Sequence, residues 1–169
     1  MTHPSWQLNI ADNSAALILT PCPGTKQLEL EASLQQLKDS GAKAIVTALE
    51  IEEMEKAGVA TLPALAEKVG LSWFHLPIED DQVPGKQFMV DWQVISPQLH
   101  DVLKSGDKVV LHCMGGSGRT GLLAAHILLE LGWDLSRIKA EVQALRPGAF
   151  TKPLQIEYID QVSKTRSLI

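Results

Sequence analysis

Cys113 and Arg119 are separated by Met114-Gly115-Gly116-Ser117-Gly118, with His112 immediately before the cysteine and Thr120 immediately after the arginine. Residues of these types at this spacing suit one task, holding a tetrahedral oxyanion above a sulfur nucleophile. Gly115, Gly116 and Gly118 allow the backbone a close, tightly curved approach. Inward N–H groups at the start of a helix then form an anion cradle. Arg119 adds a planar fork for two oxygens, a geometry that lysine does not supply. A cysteine in such a setting falls from about 8.5 to roughly 3.5–7.5 and attacks as a thiolate near neutral pH.

Two other phosphate loops compete for the same stretch. Gly116-Ser117-Gly118-Arg119-Thr120-Gly121 fits G-x-G-x-x-G to the letter. A dinucleotide site, however, needs a second strand ending in an acid about 20 residues on. Here GLLAAHILLELG is helical in pattern, and so is LSRIKAEVQAL after Asp134. A Walker A loop needs lysine where this chain has Arg119. A general anion cradle with a thiol beneath it remains.

The elements that must position this loop follow from periodicity and turn chemistry. Strands are expected over Trp6 to Ile10, Ala15 to Thr20, Ala44 to Val46, Ser72 to Leu76 and Asp107 to His112. Helices are expected over 27–39, 50–57, 63–69, 88–104, 119–131, 135–145 and 153–165, with Pro97 able to kink or divide the fourth. Strands alternating with helices mean an α/β domain with a largely parallel central sheet flanked by helices. No repeat, linker or low-complexity tract interrupts it, so one domain is expected over 1–169.

Composition narrows the function classes. With 45% apolar and 21% charged residues the chain is an ordinary globular one, and its net charge of −5 supplies no basic excess for nucleic acid. Two cysteines and no C-x-x-C do not make a disulfide scaffold, which points to a reducing cytoplasm. There is no secretory leader pattern and no apolar run of membrane-spanning length. Neither nucleic acid nor membrane is therefore an expected partner, and a monomer is expected. No set of His, Cys and carboxylates has metal-ligand spacing on one face, so neither metal nor other cofactor is expected.

HCMGGSGRT resembles the H-C-x5-R-S/T signature of the cysteine-dependent protein phosphatases, the protein tyrosine and dual-specificity superfamily. Three weaker stretches are similar to its kinase-associated, dual-specificity-like branch. They are Pro23-Gly24-x-Lys26, Pro77-Ile78-x-Asp80, and Leu145-Arg146-x-Gly148-Ala149 with Gln155 downstream. The resemblance implies the dual-specificity-like fold and a phosphocysteine intermediate on Cys113. It implies that Arg119 and the amides of Met114, Gly115, Gly116, Ser117 and Gly118 bind the phosphoryl group. Thr120 would assist the departing thiolate, His112 would brace the loop and help set the thiol's acidity, and Gln155 would position the hydrolytic water. Many family members carry Trp-Pro-Asp at the acid loop, where this chain has Leu76-Pro77-Ile78-Glu79-Asp80-Asp81. Asp80 ranks first as general acid, Asp81 second and Glu79 third.

A phosphoprotein is the expected substrate, because positions 114–118 lack the basic residues that an inositol phospholipid headgroup favours. The alternatives are a phosphoinositide or other small phosphomonoester phosphatase, and a catalytically silent phosphate-binding module. Arsenate reductase and sulfurtransferase chemistry fit less well, for want of further thiols and because of the loop length. A Cys22–Cys113 disulfide is set against a buried Cys22. His126 and His75 are expected to be packed residues, and Met114 and Phe150 either line the site mouth or fill the core.

Overall fold

The carboxyl end of the strand before the glycine loop lies at the centre of the sheet. The computed structural model describes residues 1–167. Five strands, β1 (Trp6–Asn9), β2 (Ala16–Thr20), β3 (Ala42–Thr47), β4 (Ser72–His75) and β5 (Lys108–His112), pair in the order β1-β2-β5-β3-β4. Only β1 runs antiparallel, with Trp6 opposite Leu19, while β2, β5, β3 and β4 are mutually parallel. The chain leaves β2 for β3 and returns later to fill the gap with β5. Ligand sites of parallel sheets form at the carboxyl ends of such interleaved strands.

Side-chain alternation along the strands sorts the core into two layers. Leu17, Leu19, Ala44, Val46, Val109 and Leu111 face one side, and Ile18, Ile45 and Val110 face the other. The smaller layer is closed by α1 (Leu30–Asp39) and α3 (Leu62–Val69) through Leu34, Leu37 and Ala66. The short helix α2 (Ile51–Lys56) lies between β3 and α3 in sequence. The larger layer packs under α4 (Lys86–Lys104), α5 (Gly118–Glu130), α6 (Leu135–Leu145) and α7 (Pro153–Ser167). Helix α5 is buried almost all round, from Arg119 to Leu129, which is why its sequence is so uniformly apolar. It holds the glycine loop against the sheet from behind.

The expected single α/β domain with its largely parallel sheet is the observed one, with several boundaries moved, β3 running over Ala42–Thr47 rather than from Ala44 to Val46. Helix α1 begins at Leu30 rather than at residue 27. Helix α4 runs unbroken through Pro97. Pro97 and Gln93 are both exposed, so the carbonyl that proline leaves without a donor meets solvent rather than a dry interior.

Candidate active site

Residues 113–117 form a ring because each of the first four carbonyls is held from outside it. The Cys113 carbonyl lies 3.1 Å from His112 Nδ1, and the Met114 carbonyl accepts from Cys22 N at 2.9 Å. The Gly115 and Gly116 carbonyls accept from Arg146 Nη2 at 2.7 Å and Nε at 3.1 Å. In a trans peptide an outward carbonyl turns the following N–H inward. The amides of 114–117 are thereby aimed at a common centre, and the start of α5 adds its own free N–H groups. Gly116 is irreplaceable here: its φ is +79°, and a Cβ would lie 2.6 Å from Pro21 N.

The sulfur of Cys113 sits beneath this ring. Gly116 N–H donates to Sγ at 3.3 Å and the Thr120 hydroxyl donates at 3.2 Å. Both partners are donors, an environment that suits a thiolate. His112 acts one step away. The Cys113 carbonyl can only accept, so His112 Nδ1 is the donor there. Nε2 of the neutral ring accepts from the Thr47 hydroxyl, 2.7 Å away, which in turn accepts from Trp73 Nε1 at 2.9 Å. Burial pushes the imidazole down to about 4, so it stays neutral and braces the loop as a fixed donor.

Arg119 is 3% exposed and gripped from behind. Nη1 donates to Glu53 Oε1 at 2.7 Å and to the Ile78 carbonyl at 2.9 Å, and Nη2 donates to Glu53 Oε2 at 2.9 Å. Of five guanidinium hydrogens these take three, leaving the Nε–Nη2 edge for a phosphate. Burial alone opposes both charges of this pair. The Glu53 hydrogen bonds nonetheless raise Arg119, and those from Arg119 and the Glu50 amide hold Glu53 below the usual carboxylate range. Glu53 is a positioning residue that the sequence did not single out.

The acid loop meets the same cleft, a space of about 470 Å³ lined by Asp80, Asp81, Cys113, Arg119, Lys152 and Gln155 among others. Asp80 Oδ1 stands 3.4 Å from Arg119 Nη2 and accepts from Asp81 N at 3.0 Å. Asp81 has the left-handed φ of +63°, and its carboxylate is turned to an ion pair with Lys152. Glu79 is not among the cleft's lining residues. Gln155 is 1% exposed, its Oε1 is without a partner, and its Nε2 reaches the Gln82 carbonyl at 3.5 Å. Its amide also lies 3.4 Å from where a Cβ on Gly118 would stand.

Met114, Gly115, Ser117 and Gly118 also line the cleft, and Met114 packs against the core as well. Phe150 is a core residue. His126 pairs with Tyr158 Oη at 2.6 Å and His75 with the Leu49 carbonyl at 2.6 Å, both packed as expected. Both cysteines are free and buried. Burial pushes the Cys22 thiol up to about 12. At neutral pH iodoacetamide is therefore expected to label Cys113 far faster than Cys22, with phosphate or vanadate protecting only Cys113. Peptide mapping after timed labelling reads this directly, and equal labelling or absent protection would sink the preformed anion site.

Known proteins bear the same stamp. The family model described as Tc-R-P, polymorphic toxin system, DSP-PTPase phosphatase, matches residues 23–133. Cyclin-dependent kinase inhibitor 3 of Rattus norvegicus is 30% identical over 166 residues, spanning 93% of this chain and 76% of that protein. The Homo sapiens protein of that name is 30% identical over 168 residues, spanning 94% and 77%. A crystal structure of kinase associated phosphatase, with serine in place of its catalytic-site cysteine, superimposes with a TM-score of 0.86 at 25% identity, covering 98% of this chain and 96% of that one.

Proposed function

This chain belongs to the cysteine-dependent protein tyrosine and dual-specificity phosphatase family, phosphoric monoester hydrolases, and from that premise we propose that it dephosphorylates phosphoproteins through a phosphocysteine. One observation carries the reading. The Cys113 sulfur lies under a ring of inward amides, and the Nε–Nη2 edge of Arg119 and the Asp80 carboxylate, 3.4 Å from Nη2, face the same cleft. The relatives' printed names, a kinase inhibitor and a kinase associated phosphatase, favour a protein as the substrate.

In the first step Cys113 Sγ attacks phosphorus as the bond to the leaving oxygen breaks. Asp80 delivers its proton to that oxygen, and the product alcohol departs. The three equatorial oxygens are met by the amides of 114–119 and by the Nε–Nη2 edge of Arg119. In the second step a water placed by Gln155 attacks phosphorus, gives a proton to Asp80 and releases inorganic phosphate. Thr120 donates to the sulfur that leaves as thiolate. His112 keeps the loop in shape throughout.

Asp80 is the acid in this reading because Lys152 occupies Asp81. Asp80→Asn is expected to lose on the order of 10²-fold in kcat with phosphotyrosine and phosphothreonine peptides. The loss should shrink with an activated aryl phosphate, whose oxygen departs without a proton. Asp81→Asn and Glu79→Gln should show no such dependence on the leaving group. Phosphate release is measured with both peptides, the aryl phosphate and a short-chain phosphoinositide over pH. A leaving-group-dependent loss in Asp81→Asn instead would reassign the acid, and turnover of the phosphoinositide alone would overturn the phosphoprotein reading.

A further inference from the structure

We infer that Trp6, on the edge strand β1, is a positioning residue for the phosphate cradle and acts through Arg146. The guanidinium of Arg146 lies over the Trp6 ring, 3.9 Å from its centroid. From there it reaches the Gly115 and Gly116 carbonyls at 2.7 and 3.1 Å. Trp6 is held in its turn by the antiparallel register that sets it opposite Leu19, and Arg146 by its place at the carboxyl end of α6. The inference rests on the reading of residues 113–119 as a phosphate cradle and names what keeps that cradle in shape.

The need for such a clamp follows from the glycines. Gly115 and Gly116 admit a close backbone approach, and for the same reason they resist a flip of their peptide planes only weakly. The carbonyls of 113 and 114 are fixed by His112 and by the Cys22 amide, neighbours buried at the sheet's end. Those of 115 and 116 depend on one arginine side chain. If either peptide turns over, an inward N–H is replaced by a carbonyl oxygen that repels phosphate, and at Gly116 the sulfur loses the donor 3.3 Å away. An arginine fork serves here only if its plane is held, because two bonds to two adjacent carbonyls demand one orientation. The indole face fixes that plane and attracts the cation at the same time.

The test uses the intact chain and the series Trp6→Tyr, Trp6→Phe and Trp6→Leu, with Arg146→Met and the double variant Trp6→Leu/Arg146→Met. Vanadate dissociation constants, iodoacetamide labelling rates of Cys113 and melting temperatures are measured on each. Vanadate affinity should weaken in the order Trp, Tyr, Phe, Leu, and Trp6→Leu should lose about three- to tenfold. Cys113 labelling should lose vanadate protection in parallel. Arg146→Met should lose at least as much as Trp6→Leu, and the double variant no more than Arg146→Met, because one residue acts through the other. Unchanged vanadate affinity across the series, with only melting temperature moving, makes Trp6 a plain structural residue and overturns the inference. So does additivity in the double variant. Should Trp6→Leu not fold, Trp6→Phe and Arg146→Met carry the same decision, and unaltered affinity in both is fatal. Failure of the cradle itself appears differently, as absence of vanadate protection in the unaltered chain.

Discussion

Cys113→Ser is expected to abolish turnover while phosphate is still bound. The groups at the sulfur are the Gly116 N–H and the Thr120 hydroxyl, both donors. Neither is a base able to take the proton that a serine would have to lose before attack. A thiol reaches its anionic form at accessible pH, whereas a serine hydroxyl in such a site stays protonated and weakly nucleophilic. Loss of a covalent nucleophile costs on the order of 10⁴-fold or more in kcat. Arg119, the loop amides and the Arg146 clamp are untouched, so a phosphopeptide should still bind and the fold should persist. Phosphate release, phosphopeptide calorimetry and a melting curve test this together. Turnover within an order of magnitude of the unaltered chain would mean that the nucleophile lies elsewhere.

Arg119→Lys should be nearly as damaging, although it keeps the positive charge. The guanidinium does three jobs at once: it pairs with both oxygens of Glu53, donates to the Ile78 carbonyl, and leaves one edge for phosphate. An ammonium is a point charge with three donors and cannot span these partners. Drawn toward Glu53 it abandons the phosphate, and drawn toward the phosphate it leaves a half-buried carboxylate without its partner. A fall on the order of 10³-fold in kcat/KM is expected, with a weakened affinity for vanadate. Helix α5 is anchored by its apolar residues from Leu122 to Leu129, so circular dichroism should remain that of the folded chain. Rates close to those of the unaltered chain would show that Arg119 does not clamp phosphate.

Asp80 and Asp81 mark where sequence reasoning reached its limit. Adjacent carboxylates in one loop have the same chemistry and nearly the same local pattern. Their contacts separate at a left-handed φ of Asp81, whose carboxylate pairs with Lys152 while that of Asp80 stands beside Arg119. Nothing within Leu76 to Asp81 encodes where Lys152 lies. Glu53 is the plainer case. It stands among Glu50, Glu52 and Glu55 in one acidic stretch, and only the tertiary fold that brings α2 to the first turn of α5 selects it as the partner of Arg119. Pro97 taught the reverse lesson, since a breaker on an exposed helix face has solvent to satisfy the carbonyl it frees.

The cysteine, the arginine and the ring between them were legible because they belong to one unbroken strand, loop and helix. Short-range geometry ties residue type to spacing there, and the glycines, the arginine and the neighbouring histidine have meaning only together. The order of strands and helices was legible for a like reason, as periodicity is local. The supports of the loop were not. His112 is held by Thr47 and Trp73, Arg119 by Glu53 and Ile78, and the Gly115 and Gly116 carbonyls by Arg146 over Trp6. Each of these contacts joins segments far apart along the chain. They exist because parallel pairing brings the ends of β3, β4 and β5 to one edge, and because β1 lies beside α6. Backbone pairing and core burial decide such meetings over the whole molecule, and no window of sequence contains them.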